Sequence, residues 1–135
     1  MRGISLLFLG ATLASCAAPP PDPIQSAKTE QQFQYLIAGR TAGRAISCMP
    51  TFNTNDMVVL NDSTVGFKSG GTVYVAHMQG GCSNLGTPGY ALVTREPTGN
   101  RLCSGEIATV VDVHNHFTVG SCSFGDFTPY TRVGR

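Results

Sequence analysis

The second half of the chain contains short runs of apolar residues separated by turn residues. From residue 57 onward the runs are rich in β-branched and aromatic residues, and pairs such as Asn61-Asp62 and Gly70-Gly71 interrupt them. This pattern is typical of consecutive β-hairpins. Six or seven short strands at this spacing predict a mainly β fold, a small antiparallel β-sandwich or barrel. We place strands at 57–60, 64–68, 72–78, 90–95, 107–112 and 117–122.

One segment before the strands has helical periodicity. Phe33, Leu36 and Ile37 follow the i, i+3, i+4 spacing that puts side chains on one face of a helix. Thr29 is suited to cap the start of this helix and Gly39 to end it. We therefore predict one short N-terminal helix over 29–38 that packs on the β domain.

The first residues of the chain follow another pattern. A positive charge at Arg2 precedes an apolar run over 4–13, which has the length of a signal peptide and is too short to span a bilayer. Leu13-Ala14-Ser15-Cys16 then matches the lipobox that the lipoprotein signal peptidase cleaves. We predict that residues 1–15 are a signal peptide and that Cys16 becomes the lipidated first residue. The alternatives are an ordinary signal with a chance cysteine, or a short buried helix.

A proline-rich stretch follows the proposed lipid site. Four of the eight prolines lie at 19–23, and such tracts form extended, semi-rigid spacers. We expect residues 16–28 to be a tether and residues 29–135 to form a single domain. Ala17 follows the cysteine where an aspartate would favour inner-membrane retention, so the outer membrane is favoured.

Composition and charge exclude one class of partner. The chain has 135 residues, 13% of them charged, and a formal net charge of +1 that falls to about zero once Arg2 leaves with the signal. Nucleic-acid binding depends on neutralising phosphates, and no basic run is present. We therefore expect no nucleic-acid partner.

Four cysteines remain after Cys16, namely Cys48, Cys82, Cys103 and Cys122. An even number of cysteines in an exported chain predicts two disulfides, with three possible connectivities. A four-thiolate zinc site is the alternative, but no Cys-x-x-Cys pair supports it.

Three histidines and one aspartate are the candidate metal ligands. Asp112, His114 and His116 would point to one side of an extended strand, and His77 could join them from another strand. The alternative places His114 in a turn between two strands, and the neighbouring asparagine favours it. No motif supports a catalytic serine or cysteine, so we expect a non-enzymatic protein without a cofactor.

Three aromatic residues lie close together near the end of the chain. Phe124, Phe127 and Tyr130 surround Asp126, beside the last cysteine. Such a segment either caps the core or presents rigid aromatic rings to a partner.

Several segments resemble a family of small lipoproteins and secreted proteins of Gram-negative bacteria, known only as a domain of unknown function. The matching motifs are Gly-Gly-Cys at 80–82, Gly-Tyr-Ala-Leu-Val-Thr-Arg at 89–95, Gly-Ser-Cys at 120–122 and Gly-Asp-Phe at 125–127. The resemblance covers about residues 36–130. It implies a shared fold and shared disulfides but no activity.

A second resemblance is to the β-barrel lipoproteins that inhibit c-type lysozymes. Ser69-Gly70-Gly71-Thr72-Val73-Tyr74 is similar to their Ser-Gly-x-x-Tyr element but one residue longer, and their downstream Lys-Gly segment is missing. The resemblance implies inhibition of a hydrolase as one alternative function.

Taken together, these features predict a non-catalytic binding or envelope-maintenance module. It would be held by a lipid anchor on the periplasmic side of the envelope, with an envelope protein or a peptidoglycan-related molecule as its partner. The contact surface would be the loop at 79–90 or the aromatic segment at 124–130. The alternatives are a hydrolase inhibitor, a metal-binding protein and an unrecognised enzyme.

Overall fold

The computed structural model describes residues 23–50, 56–94 and 101–134. The predicted signal peptide, Cys16 and the first part of the tether therefore lie outside the described residues. Within the described part, one helix and nine strands follow one another along the chain. They are α1 (Pro23–Ile37), β1 (Arg40–Ala42), β2 (Cys48–Met49), β3 (Met57–Asn61), β4 (Thr64–Ser69), β5 (Thr72–Gln79), β6 (Tyr90–Thr94), β7 (Leu102–Cys103), β8 (Ile107–Asp112) and β9 (Phe117–Arg132).

Seven of the strands form one curled antiparallel sheet, which confirms the predicted mainly β class. The order is β3-β4-β5-β9-β8-β6, and β1 pairs with the far end of β9. β2 and β7 form a separate two-stranded sheet. β9 is the centre of the fold because β5 lies along one of its edges, while β8 and then β1 share the other.

β9 runs ten residues past the predicted end at Cys122 because a β-bulge lets it continue. Ala76 pairs with Phe127 and Met78 pairs with Phe124, so Gly125 and Asp126 together oppose the single residue between Ala76 and Met78. On a regular strand, the side chains of residues three apart point to opposite faces. The extra residue of a bulge shifts this alternation by one position, so two such residues on either side of the bulge point to the same face. Both phenylalanines consequently face the same side of the sheet.

The inner face of the sheet carries the main core. Phe67, Phe124 and Phe127 are fully buried, and their ring centroids lie 6.0–6.2 Å apart. Two elements close the core from the other side. The small sheet contributes Met49 and Leu102, and the loop over 80–89 contributes buried residues of its own.

The outer face is covered by α1 over β3, β4 and β5. Leu36 packs with Leu60, Val73 and Val75 in a second, smaller cluster. Gly66 lies directly beneath the helix, where an added Cβ would come 2.7 Å from Leu36 Cδ2. The absence of a side chain at this position lets the helix approach the sheet closely.

The prediction for the helix is confirmed for the residues that pack on the sheet and is wrong for the residue at which the helix begins. Phe33 and Ile37 pack against the second cluster as expected, but the helix begins at Pro23 rather than Thr29. Proline is well suited to a first helical turn, where its missing N–H has no partner to lose. Part of the predicted tether is therefore helical. Thr29 lies inside the helix and its Oγ1 donates a hydrogen bond to Leu60 O at 3.3 Å.

The carboxyl end of α1 is held by an arginine. Gly39 has a φ of 68°, the left-handed conformation that ends helices, as predicted. Arg40 Nη1 donates to Leu36 O at 3.2 Å and to Ala38 O at 3.4 Å, and its Nε donates to Gly71 O at 3.4 Å. The guanidinium thus satisfies free helix carbonyls and ties them to the β4–β5 turn. In the described part of the chain, no helix is long and apolar enough to cross a membrane.

Two disulfides form, as the cysteine count predicted. Cys48 pairs with Cys103 across β2 and β7, and Cys82 pairs with Cys122, joining the loop over 80–89 to β9. Their sequence separations are 55 and 40 residues. Closing loops of that length corresponds to about 4 kcal/mol each in the chain-entropy description, taken separately.

The bulge predicts a strict requirement for glycine at position 125. An added Cβ there would lie 2.6 Å from the backbone oxygen of His77, whereas Gly120 on the same strand has nothing within 4 Å of such an atom. We expect Gly125→Ala to lower the free energy of unfolding by about 1–3 kcal/mol, because backbone must move to admit the methyl group. Gly120→Ala is the matched control and should stay within about 0.5 kcal/mol of the wild type. Denaturant titration of the oxidised proteins measures both free energies of unfolding. An equal loss in the two variants would contradict the steric requirement for glycine at the bulge.

Candidate functional site

A groove lies between α1 and the edge of the sheet at β3 and β4. It has a volume of about 420 Å³. Leu36 and Val58 contribute apolar surface to it, and the remaining lining residues are polar or amphipathic. These are Gln31, Gln32, Tyr35 and Lys68, and we call the six residues together the α1 groove.

The position of these side chains follows from the helix. Gln31, Gln32 and Tyr35 lie within little more than one turn of each other, away from the face that Phe33 and Ile37 bury. Tyr35 is 84% exposed, although tyrosine commonly uses its ring in packing. Lys68 follows the buried Phe67 on β4 and is exposed.

The α1 groove offers several hydrogen-bonding groups and one positive charge. Each glutamine amide supplies donors and an acceptor, and the lysine ammonium supplies three donors. Among the described residues, no carboxylate lies within ion-pair distance of Lys68, so its charge is available to a ligand. A concavity that combines apolar surface with a few hydrogen-bonding groups is the usual form of a small-molecule site.

Sequence reasoning did not find this site. The signal that could have pointed to it is Tyr35, an aromatic residue outside the helical stripe of Phe33, Leu36 and Ile37. Lys68 could not have been found in this way, because only the packing of α1 on β4 brings it near the helix.

The aromatic segment does not form a separate surface. Phe124 and Phe127 have no exposed area, and Tyr130 is half-buried with its ring edge-on to Phe33 at a centroid distance of 6.0 Å. Asp126 alone is exposed, at the bulge. The segment contributes to both clusters of the core, as the first of its two interpretations required.

The loop over 80–89 is held firmly to its neighbours. Asp62 accepts a hydrogen bond from Gly86 N at 2.6 Å through its side chain and one from Cys82 N at 2.9 Å through its backbone oxygen. Cys82 and Leu85 are buried, and Asn84 has a φ of 68°. The loop is therefore a cover for the core, and its exposed part consists of glycine, proline and small polar residues.

Two of the four candidate metal ligands, His114 and His116, lie in a turn. Residues 113–116 join β8 to β9, and His116 has a φ of 58° in place of the extended conformation that the metal site required. His77 is on β5, where its Nδ1 lies 3.3 Å from Thr64 Oγ1. Among the described residues, no group of three or more His, Cys, Asp or Glu side chains is arranged to hold a metal ion.

Asp112 is the residue that fixes this turn. Its Oδ2 accepts a hydrogen bond from Asn115 Nδ2 at 2.8 Å, and its Oδ1 accepts from the backbone N–H groups of Asn115 at 3.1 Å and His114 at 2.8 Å. The side-chain bond from Asn115 is the largest cause that lowers the pKa of Asp112 below its ordinary value of 3.8, followed by the two backbone bonds. The carboxylate is already engaged by the turn.

The segment that resembles a lysozyme-inhibitor element is a tight hairpin. Ser69 pairs with Thr72 at the end of β4 and β5, and Gly70 between them has a φ of 57°. Tyr74 is half-buried and packs against the main core. The tyrosine is thus part of the sheet and not of the hairpin tip.

The chain matches no protein-family model, no curated protein sequence and no solved structure.

The pKa of Asp112 predicts a pH-dependent contribution to stability. Because the pKa is lower in the folded chain, the carboxylate stabilises the fold above about pH 4, and this contribution disappears as the pH falls through the folded value. We expect Asp112→Asn to lower Tm at pH 7, with the difference from wild type shrinking below pH 3.8. Exposed Asp126→Asn is the control and should leave Tm unchanged. Thermal unfolding between pH 2 and 7 tests this, and a Tm difference independent of pH would contradict it.

Proposed function

We propose that the protein is a lipid-anchored, non-catalytic binding module on the periplasmic side of a bacterial envelope membrane, with the outer membrane favoured. Its ligand is the saccharide part of a peptidoglycan-related molecule, bound in the α1 groove. The lipobox at residues 13–16 supports the anchor, and the chemistry of the groove supports the ligand.

The main observation in support of lipidation at Cys16 is the pairing of the other four cysteines. Of five cysteines, Cys48 bonds Cys103 and Cys82 bonds Cys122, which leaves Cys16 as the one thiol available for lipid. Disulfides persist in oxidising compartments such as the periplasm. The same cysteine count therefore supports both export and lipidation.

The anchor would hold the domain close to the membrane. Only seven peptide bonds separate Cys16 from Pro23, where α1 begins. A fully extended chain of that length reaches at most about 25 Å. The α1 groove begins eight residues further along the same helix, at Gln31, so it would open within about 40–45 Å of the membrane surface.

The side chains of the groove fit a sugar chain. The carbon-bound hydrogens of a pyranose ring pack well on an aromatic face, and Tyr35 offers such a face at the surface. Gln31 and Gln32 would bond hydroxyl or acetamido groups, which need both donors and acceptors. Lys68 would pair with a carboxylate, such as the acidic group that muramic sugars and their peptides carry.

The anchor predicts the behaviour of a single variant. We expect Cys16→Ala to abolish incorporation of labelled palmitate and to move the protein from the membrane fraction to the soluble fraction, because two or three acyl chains provide the lasting attachment. The double variant Cys48→Ala/Cys103→Ala is the matched control and should still carry lipid. Labelled lipid on the Cys16→Ala chain would refute lipidation at this residue.

The groove predicts a loss of binding without a loss of fold. We expect Tyr35→Ala and Lys68→Gln each to weaken binding to purified murein sacculi by about tenfold or more, since truncating an anchor residue of a binding site costs about 2 kcal/mol. Gln34→Ala, exposed on the same helix but outside the groove, should bind like the wild type. Co-sedimentation with sacculi measures all four proteins.

Two results would overturn the saccharide ligand. The first is a wild-type protein that does not co-sediment with sacculi, and the second is unchanged binding in both groove variants. Nanomolar inhibition of a c-type lysozyme by the wild type would replace this proposal with the hydrolase-inhibitor alternative.

A further inference from the structure

β6 is an edge of the main sheet that lacks the usual protection. β8 lies along one side of Tyr90–Thr94, and among the described residues no strand pairs with the other side. Its sequence Tyr-Ala-Leu-Val-Thr contains no charge and no proline, and its pairing with β8 shows no register shift. Edge strands that contain no charge, no proline and no bulge are the ones that pair with another strand.

The opposite edge shows the contrast. β3 has a register shift between Val59 and Asn61, and exposed Asp56 and Asp62 lie at its two ends. α1 packs beside it. Bulges, charges and covering elements are the devices that keep edge strands from associating. Within the part of the chain that the structure describes, the sheet is therefore protected at β3 and open at β6.

The outer face beside β6 is apolar as well, and the charges nearest to the strand in sequence are Arg95 and Glu96, directly after its end. Val93 is 47% exposed and Ile107 is 68% exposed, and with Thr109, Val111 and Thr118 they line a shallow depression of about 580 Å³ on the outer face. From 107 to 123 the single charged residue is Asp112, which is buried. Within the described residues of this region, two copies can approach each other without repulsion between like charges.

The core is also incomplete at this edge. Tyr90 and Leu92 pack against the main core but remain only half-buried, because β6 is the last strand on that side. A strand added to β6 would cover the sides of Tyr90 and Leu92 that are exposed at the edge of the sheet. The gain from such pairing is both apolar burial and hydrogen bonding of the free backbone groups.

We propose that β6 pairs with β6 of a second copy of this chain, so that two sheets join into one across a two-fold axis. With the axis at Leu92, each Leu92 faces its equivalent and Ala91 faces Val93 of the second copy. A small residue is then opposite a larger one on the outer face, so the strand is complementary to itself. Isologous interfaces of this kind are the commonest in homo-oligomers.

The symmetry of this pairing suits two anchored copies. A two-fold axis between antiparallel strands is perpendicular to the sheet, so both α1 helices lie on the same side of the joined sheet. Both tethers would then reach one membrane, a step that rests on the anchor proposed above. Confinement to that membrane raises the effective concentration, so a small interface is sufficient.

Photo-crosslinking of the full-length protein in its native membrane tests the pairing. A benzophenone amino acid replaces Val93 in one variant and Lys68 in the control, since Lys68 is exposed on β4, away from β6. We expect irradiation to give an adduct of twice the chain mass at position 93 and none at position 68. An adduct at 93 with lipid, with another protein, or no adduct at all would overturn the pairing.

A second measurement separates this proposal from the anchor. Val93→Lys places a charge on the edge, and we expect it to reduce the dimer fraction at least fivefold in sedimentation of detergent-solubilised protein while Tm stays unchanged. Cys16→Ala protein, sedimented at high concentration, should still form dimers that Val93→Lys abolishes. A Cys16→Ala protein that stays monomeric at every concentration would overturn the β6 pairing without affecting the proposal that Cys16 is lipidated. Lipid retained on the Cys16→Ala protein would refute lipidation at Cys16 without affecting the β6 pairing.

Discussion

The bulge that sets Gly125 and Asp126 against a single residue of β5 decides where the central phenylalanines lie. Without the extra residue, Phe124 and Phe127 would point to opposite faces, and one large ring would leave the core. With it, both rings pack on Phe67 in the interior. β9 then continues through the domain as one strand. It pairs with β5 along one edge and with β8 and β1 along the other.

The disulfides attach the covering elements to this centre. Cys122 lies on β9 and holds the loop over 80–89, while Cys48 and Cys103 hold β2 to β7, the small sheet that closes the core. A domain of about 100 residues buries a limited core, and such bonds commonly compensate in exported proteins. Within the described residues, the α1 groove and the edge of the sheet at β6 are the two features that we propose for binding.

Sequence reasoning was reliable where the signal is local and failed where it depends on packing. The strand Thr72–Gln79 was found because a run of β-branched and aromatic residues lies between two groups of turn residues. The continuation of β9 was missed because Gly125 and Pro129 resemble a loop until the bulge is known. The start of α1 was missed because Pro23 belongs to a proline-rich tract. The α1 groove was out of reach, since Lys68 joins Tyr35 only in the folded chain.

Mass analysis of the protein purified from its native membrane tests whether Cys16 carries lipid while the other four cysteines are paired. Intact mass before and after reduction, followed by mapping of disulfide-linked peptides, gives both facts in one preparation. We expect a chain that begins at Cys16 with added acyl mass and gains four hydrogens on reduction. Its linked peptides should join Cys48 to Cys103 and Cys82 to Cys122. An unmodified Cys16, or free thiols at the other four positions, would contradict this expectation.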